Sequence, residues 1–173
     1  ELLVSPLCFN SGRSSALGHL FWGARVILKE RFDPVETLEM IQAKRVSYIA
    51  LAPVMADRLL EVPNLNHYDT SSLRHLRKAG SPMHSVTVKG LIQHITPNIY
   101  QSYASTDAGS VSLLLPEDQI RKSGSAGNLI WATEVVIADE TGNPLPTGEV
   151  GEIICRVPLV CSGYYKNPQA NEA

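Results

Sequence analysis

Residues 47–62 read SYIALAPVMADRLLEV, and this stretch carries the two patterns that decide the fold. Ser47 to Ala52 is a short apolar run that predicts a buried strand, and Pro53 ends the run. The residues that follow have helical spacing, which predicts a short helix whose apolar stripe is Met55, Leu59 and Val62. A strand that leads directly into a helix is the repeating unit of a parallel α/β sheet.

The same alternation continues on both sides of this unit. Strands are predicted at Leu2–Val4, Arg25–Leu28, Arg74–Ala79 and Asn98–Tyr103. Helical apolar stripes are predicted for three groups: Leu17, Leu20, Phe21 and Ala24; Val35, Leu38 and Ile41; and Val88, Leu91, Ile92 and Ile95. Asp33 and Pro34 have the residue types of a helix start, and Glu36 can return to the cap. Right-handed crossovers place the carboxyl ends of all the strands along one edge, where ligands of such sheets bind.

The alternation stops near residue 107. Ala108–Leu115 predicts a strand, and residues 116–128 predict a polar connection. Glu134–Asp139 and Gly151–Arg156 predict two more strands around residues that are typical of turns. The expected fold class is therefore α/β, with a mostly parallel, doubly wound (flavodoxin-like) sheet followed by antiparallel β strands from a barrel-like subdomain. The predicted domain boundaries are 1–115 and 116–173.

Composition excludes several classes of protein. The 173 residues are 44% hydrophobic and 18% charged, which is typical of a globular chain, and the net charge of −2 provides no cationic field for nucleic acid or an anionic membrane. No apolar run approaches the roughly 20 residues of a membrane span. The cysteines lack zinc spacing and are expected to be buried or half-buried thiols of a cytoplasmic protein; they are Cys8, Cys155 and Cys161. The chain lacks an initiating Met, so we expect it to begin inside a longer protein.

Three small or polar loops are expected at the carboxyl edge of the sheet: Ser5–Gly12, Ala79–Pro82 and Ser102–Asp107. The third loop offers an aromatic ring, hydroxyl groups and a carboxylate within a few residues. A threonine hydroxyl can bond a phosphoryl oxygen, and a neighbouring aspartate can hold Mg²⁺ on the same phosphate. Taken alone, however, a Ser-Thr-Asp-Ala-Gly sequence after a strand is more often a turn or a helix cap.

Five segments, in order, resemble the motifs of the adenylate-forming superfamily, which contains acyl- and aryl-CoA synthetases, luciferases and peptide-synthetase adenylation domains. Leu73–Met83 is similar to LR-x-x-x-x-[GA]-G-A-P-[LM], and Tyr103–Asp107 is similar to YG-x-TE. Gly124–Leu129 resembles GSVGRP, Asp139–Glu152 resembles D-x-x-G-x-x-x-P-x-GE-x-GE, and Ser162–Pro168 resembles GYW-x-x-P. The resemblance covers essentially the whole chain.

The resemblance implies a reaction and its cofactors. A carboxylate attacks the α-phosphate of Mg·ATP to give an acyl-adenylate, and a thiol of CoA or of a carrier protein then takes the acyl group. The implied cofactors are ATP or AMP, Mg²⁺ and CoA as co-substrate. The implied partners are the acid, ATP and the thiol, without nucleic acid or a membrane span.

The resemblance also implies site residues, which are carried over by matching positions. The implied nucleotide-binding residues are Ala79, Gly80 and Ser81 beside adenine, Gln101 at its amino group, Tyr103 stacked on the ring, and Thr106 at the α-phosphate. Thr106 and Asp107 are the implied catalytic residues, and Asp107 is the metal ligand. The implied lining of the acyl pocket is Phe9, which stands where a His is common, with Asn10, Ser102, Ala104 and Ser105.

Two departures from the family pattern keep alternatives open. Asp107 stands in place of Glu and is shorter by ~1.5 Å, and Ala104 adds a methyl group where the family has Gly. The alternatives are a non-catalytic pseudoenzyme or protein-contact module, and a peptide-synthetase adenylation domain, although the acyl-pocket loop shows no acidic anchor for an α-amino group. Because the matched pocket segments contain no Lys or Arg, we expect an uncharged aliphatic or aryl acid.

The family's phosphate loop, its ribose-binding Asp and its carboxyl-terminal domain have no counterpart in these residues. We therefore expect the isolated 173-residue chain to be inactive.

Overall fold

A computed structural model describes residues 1–78 and 80–172. The chain forms two compact units: Glu1–Ser102 with Leu114–Gly127, and Tyr103–Leu113 with the residues from Asn128 onward. The predicted domains were an α/β subdomain with the adenine and acyl site at 1–115 and an antiparallel β segment at 116–173, and they stay a prediction. Within the described residues, no helix has the length and apolar character that crossing a membrane requires.

The structure confirms the predicted fold class, with helices and strands alternating along the first unit. The strands are β1 (Leu2–Leu3), β2 (Ile27–Leu28), β3 (Tyr48–Leu51), β4 (His75–Lys78), β5 (Ile99–Ser105), β6 (Gly109–Leu114), β7 (Asn128–Leu129), β8 (Glu134–Ala138) and β9 (Glu152–Arg156). The helices are α1 (Asn10–Phe21), α2 (Pro34–Lys44), α3 (Pro53–Leu60), α4 (Ser85–His94), α5 (Asp118–Arg121) and α6 (Pro168–Glu172), with a 3₁₀ turn at Leu65–His67.

Seven strands form one sheet in the order β2-β1-β3-β4-β5-β6-β7. The neighbours from β2 to β5 are parallel, as the alternation of strand and helix predicted. β6 and β7 are antiparallel, and β8 and β9 form a separate antiparallel pair.

The core of the first unit lies between the sheet and the helices α2, α3 and α4. Its fully buried side chains are Leu2, Leu38, Ile41, Ile49, Leu51, Leu59, Leu76, Leu91 and Ile99. Asp33 caps α2 by accepting a hydrogen bond from the Glu36 backbone N–H at 2.9 Å, as predicted. The Glu36 side chain, however, pairs with Lys29 rather than with the cap. Val35 was predicted to face inward but is exposed.

The predicted apolar stripe of α1 was wrong about which face of the helix is buried. Leu17, Leu20 and Phe21 are 61%, 56% and 82% exposed, whereas the buried residues of α1 are Gly12 and Ala16. A close approach limits the packed face at its first turn, since a Cβ at Gly12 would lie only 2.4 Å from the Pro6 carbonyl oxygen. A residue larger than glycine therefore does not fit at this position without a shift of the backbone.

The polar connection predicted for residues 116–128 contains α5 and the first residue of β7. Asp118 is buried there and forms ion pairs with Arg121 and Lys122, which are three and four residues further on. A helix of four residues is too short to show a periodic stripe, so it could not be predicted from apolar spacing. The cysteine prediction was also partly wrong, because Cys8 and Cys161 are exposed; all the cysteines are free thiols.

In the second unit, Asp139 organises the loop between β8 and β9. Its Oδ1 accepts hydrogen bonds from the backbone N–H groups of Thr141 and Asn143 at 2.8 and 2.9 Å, and from the Thr141 hydroxyl at 2.7 Å. These bonds stabilise the carboxylate and lower the pKa of Asp139 to about 2. The segment that resembles the family's D-x-x-G motif is therefore a structural turn.

Candidate functional site

The carboxyl ends of β4 and β5 lie side by side, because Lys78 is opposite Gln101 in the parallel register. The loop that follows β4 therefore begins beside Gln101. Gly80 has a left-handed φ of +87°, which glycine adopts without strain, and both Gly80 and Ser81 are exposed. The structure thus places the predicted adenine-binding residues Gly80, Ser81 and Gln101 at one edge of the first unit. Ala79 was predicted with them and lies outside the described residues.

The Gln101 side chain is partly engaged within the protein. Its Nε2 donates to the Ser125 carbonyl oxygen at 3.4 Å, which links β5 to the segment that resembles GSVGRP. The side-chain carbonyl oxygen of Gln101 and its second N–H are not used by that bond. An amide group with both a donor and an acceptor can hydrogen-bond the edge of a nucleobase.

The opposite face of β4 and β5 carries a row of stacked rings. The centroids of Tyr48 and His75 are 4.9 Å apart, and those of His75 and Tyr100 are 3.9 Å apart with nearly parallel planes. Burial lowers the pKa of His75 to about 4, and the nearby charges of Arg77 and His19 contribute to the shift. His75 is therefore a neutral ring at pH 7.

Helix α1 packs on this same face. Its His19 ring lies 4.4 Å from the Tyr48 ring, centroid to centroid. The chain enters α1 from the carboxyl edge of β1, so Phe9 and Asn10 at the start of the helix lie on the side of that edge. Phe9 is 62% exposed, and the Asn10 Oδ1 accepts hydrogen bonds from the side chains of Arg13 and Ser14.

Arg77 and Ser102 meet on the α1 side of the sheet. The Nε and Nη2 atoms of Arg77 donate to the Ser102 hydroxyl oxygen at 3.1 and 2.8 Å. The sequence predicted Ser102 as a pocket residue but missed Arg77, because the contact depends on the pairing of two strands that are distant in sequence.

Lys78 is a second cation at this edge of the sheet, and it was not among the predicted site residues. It is the last residue of β4, its neighbour Arg77 points to the other face, and it is only 5% exposed. Burial lowers the pKa of the Lys78 ammonium group. The signal for both residues was present in the sequence, because an Arg-Lys pair stands at the carboxyl end of a predicted strand.

In the second unit, the predicted residues Tyr103 to Asp107 are all exposed. The Ser105 hydroxyl accepts a hydrogen bond from the Ala108 backbone N–H at 3.0 Å, so this serine caps the turn. Asp107 has two partners: its carbonyl oxygen accepts from the Cys161 backbone N–H at 3.1 Å, and its Oδ2 accepts from the Tyr164 hydroxyl at 2.9 Å. The hydrogen bond to the carboxylate raises the pKa of Tyr164.

The residues present fit a metal ion that the nucleotide brings rather than a metal held by the protein alone. Among residues 1–78 and 80–172, no group of three or more His, Cys, Asp or Glu side chains could enclose a cation. Mg²⁺ commonly keeps several waters and binds through one or two carboxylates together with substrate phosphates. Because Tyr164 occupies Oδ2 of Asp107, Oδ1 is the oxygen available for such a contact.

A surface cavity of about 390 Å³ lies at the carboxyl ends of β1 and β2. None of the predicted site residues lines it; the lining consists of Leu3, Ser5, Pro6, Leu7, Leu28, Lys29 and Glu30.

Comparison with known proteins gives the family. The sequence profile described as AMP-binding enzyme matches residues 2–165, which is nearly the whole chain. This chain belongs to the AMP-binding enzyme family. It is 36% identical over 152 residues to the probable 4-coumarate–CoA ligase 1 of Dictyostelium discoideum, and the match covers 86% of this chain.

Two solved structures show the same fold. The amide bond synthetase McbA from Marinactinospora thermotolerans matches with a TM-score of 0.92 and 32% identity over 99% of this chain. The O-succinylbenzoate coenzyme A synthetase MenE from Bacillus subtilis, solved in complex with ATP and magnesium ion, matches with a TM-score of 0.88 and 28% identity over 99% of this chain. This AMP-binding enzyme chain spans 27% of the Dictyostelium relative and 35% of each solved chain.

Proposed function

We propose that the protein is an AMP-forming acid–thiol ligase. It activates a carboxylic acid with ATP to an acyl-adenylate and then transfers the acyl group to the thiol of CoA. The observation that carries this proposal is the order of the motif-like segments from Leu73 to Pro168 in a chain of the AMP-binding enzyme family. The names of the relatives support the choice of CoA, since several are CoA ligases of aryl or fatty acids.

In the first step, an oxygen of the substrate carboxylate attacks the α-phosphorus of ATP, and the bond to the β-phosphate bridging oxygen breaks to release pyrophosphate. Gly80 and Ser81 flank adenine, Gln101 hydrogen-bonds the edge of the base, and Tyr103 stacks on its face. The Thr106 hydroxyl donates to an α-phosphate oxygen, where negative charge must be held during the attack. When bound, Mg²⁺ neutralises charge on the phosphates, and Asp107 is the carboxylate that would hold it.

In the second step, a thiolate attacks the acyl carbonyl carbon and AMP leaves. Catalysis by this chain in both steps is mainly orientation and charge stabilisation, because none of its proposed site residues forms a covalent bond to the substrates. We also infer a cytoplasmic location, which the free cysteines support.

A non-catalytic protein of the same fold is the second candidate. The hydrogen bond from Tyr164 to Asp107 favours it, since this bond uses one oxygen of the predicted metal ligand. The methyl group of Ala104 also favours it, because the family pattern has Gly at that position. Titration with ATP in the presence and absence of Mg²⁺ separates the two candidates, because a contact module has no Mg²⁺-dependent affinity for nucleotide.

The test of the ligase proposal is pyrophosphate exchange by the whole protein with the variants Thr106→Val and Asp107→Asn. Each variant removes one charge-directed contact, which typically costs ~2–4 kcal/mol in the transition state. We therefore expect each to lower the rate of adenylation by about 30- to 1,000-fold with a smaller effect on ATP binding.

Thr147→Val is the matched control, because Thr147 is exposed in the loop between β8 and β9. The Thr147→Val variant should exchange pyrophosphate at the wild-type rate. Near-wild-type exchange in both test variants would contradict the proposed roles of Thr106 and Asp107.

A further inference from the structure

We propose that Arg77 and Ser102 recognise a second carboxylate on the acid substrate, distal to the carboxyl group that is activated. The proposal rests on the proposed ligase function and names its substrate class. It replaces the expectation of an uncharged acid, which depended on the absence of Lys and Arg from the matched pocket segments. Strand pairing brings Arg77, which lies outside those segments, beside the predicted pocket residue Ser102.

The geometry of Arg77 leaves one binding edge of the guanidinium group open. A guanidinium group has about five N–H donors. The bonds from Nε and Nη2 to the Ser102 hydroxyl use the two N–H groups on one side of the plane. The remaining N–H groups include the pair that Nη1 and Nη2 present at the end of the group, and such a pair binds a carboxylate through two parallel hydrogen bonds.

Ser102 contributes a donor as well as an anchor. Its oxygen accepts both bonds from Arg77, so its own hydroxyl hydrogen remains to donate. The two hydrogen bonds hold the guanidinium group beside this hydroxyl. Less side-chain freedom is therefore lost when an anion binds.

The charge of Arg77 is not compensated within the described parts of the chain. Arg77 is half-buried, and within residues 1–78 and 80–172 no carboxylate lies within salt-bridge distance of it. The groups next to it on the same sheet face are neutral, since these are the rings of His75 and Tyr100 and the hydroxyl of Ser102. A partly desolvated cation with neutral neighbours favours an anionic ligand.

The neighbour of Arg77 on one side of the sheet is small. In the sheet register its neighbours are Tyr100 on β5 and Ala50 on β3. The Ala50 side chain is a single methyl group, so the space beside Arg77 on the β3 side is not filled by a long side chain from that strand.

The position of the pair assigns it to the acid rather than to the nucleotide. Consecutive residues of a strand point to opposite faces, so Ser102 and Gln101 face opposite sides of the sheet. Arg77 and Ser102 lie on the α1 side, where His19 of α1 packs on the row of rings. The predicted acyl-pocket residues Phe9 and Asn10 begin that helix at the same edge of the sheet.

The test compares acids of equal carbon number in pairs, with hexanoate against adipate and 4-methylbenzoate against terephthalate. Pyrophosphate release by the whole protein gives kcat/KM for each acid, and calorimetric titration gives binding without turnover. In the wild type, we expect the dicarboxylate of at least one pair to be preferred. In Arg77→Met, which keeps most of the side-chain length, that preference should fall by about tenfold or more, because charge-assisted hydrogen bonds are lost.

Two further variants make the result specific. Arg74→Met removes an exposed arginine just before β4 and should leave the preference unchanged. Ser102→Ala removes the acceptor that orients Arg77 and should weaken the preference while the charge remains. If Arg77→Met does not fold, the Ser102→Ala variant carries the same comparison.

The outcomes separate this inference from the proposed function. Turnover of monocarboxylates only, or an equal loss for both members of a pair in Arg77→Met, overturns the inference and leaves the ligase intact. Binding of a dicarboxylate that depends on Arg77, without pyrophosphate release from any acid, supports the inference and contradicts the ligase. If the protein neither binds nor turns over any dicarboxylate, the inference is overturned.

Discussion

The substitution Gly12→Ala tests how α1 is seated on the first unit. A Cβ at Gly12 would lie 2.4 Å from the Pro6 carbonyl oxygen and 3.1 Å from the Ser5 carbonyl oxygen. Ordinary contacts begin at 3.4 Å, so the helix or the loop before it must move by about 1 Å. Both obstacles are backbone atoms, which cannot rotate away as a side chain can.

Two opposing effects set the magnitude for Gly12→Ala. Overpacking of this kind typically costs about 1–3 kcal/mol in the free energy of unfolding. Alanine in place of glycine in a helix contributes roughly 0.5–1 kcal/mol in the other direction. Gly18→Ala is the matched control on the same helix, because a Cβ at Gly18 meets no atom within 4 Å. The control gains the helix preference without the clash, so the difference between the two variants should be about 1–3 kcal/mol.

Urea unfolding of the whole protein, followed by tryptophan fluorescence and circular dichroism, measures this difference. The displacement also moves Phe9 and Asn10, so the KM for the acid should rise in Gly12→Ala and stay unchanged in Gly18→Ala. If the two variants are equally stable, the close approach of α1 to the loop at Ser5–Pro6 is not a constraint and the reasoning fails.

Two further predictions concern the second unit. Tyr164→Phe should lower the Mg²⁺ concentration needed for half-maximal adenylation by about 3- to 10-fold, since the hydrogen bond that occupies Oδ2 of Asp107 is lost and this oxygen becomes available to the metal. Tyr165→Phe should have no effect, and an equal shift for Tyr164→Phe in the Asp107→Asn background would show that Tyr164 does not act through Asp107. Asp139→Asn should lower the melting temperature at pH 7, because the folded-state pKa of about 2 lies below the ordinary value of 3.8 and the carboxylate stabilises the fold above that value. The contribution is lost as the pH falls from 3.8 towards about 2, so the deficit of the variant should shrink over that range, and a constant deficit would refute the assignment.

The parallel sheet could be predicted because its strands are buried on the core side. Ile49, Leu76 and Ile99 are fully buried, and short apolar runs of this type are typical of such strands. The buried face of α1 could not be predicted in the same way. The spacing of Leu17, Leu20 and Phe21 gives a stripe but does not say what the stripe contacts, and the close approach at Gly12 decided the packing instead.

The candidate site was predictable only where its residues form contiguous motifs. Gly80, Ser81 and Gln101 were predicted from sequence as nucleotide-binding residues, and they lie at one sheet edge. Tyr164 could not be assigned to Asp107, because the two are separated by 57 positions and nothing in either motif indicates a hydrogen bond between them. Arg77 could have been predicted from the sequence, because parallel pairing of the two predicted strands brings the carboxyl end of Arg74–Ala79 beside Ser102.

The register between β4 and β5 connects the core to the proposed substrate site. It places Leu76 opposite Ile99 on the core face, and it therefore places Arg77 diagonally next to Ser102 on the other face. A slip by one residue would turn the side chains of one of the two strands to the wrong face. Leu76 or Ile99 would then leave the core, which costs roughly 1.5–3 kcal/mol for each fully buried side chain. Hydrophobic burial on one face thus fixes the position of a cation on the other, so the contact between Arg77 and Ser102 does not depend on loop conformation.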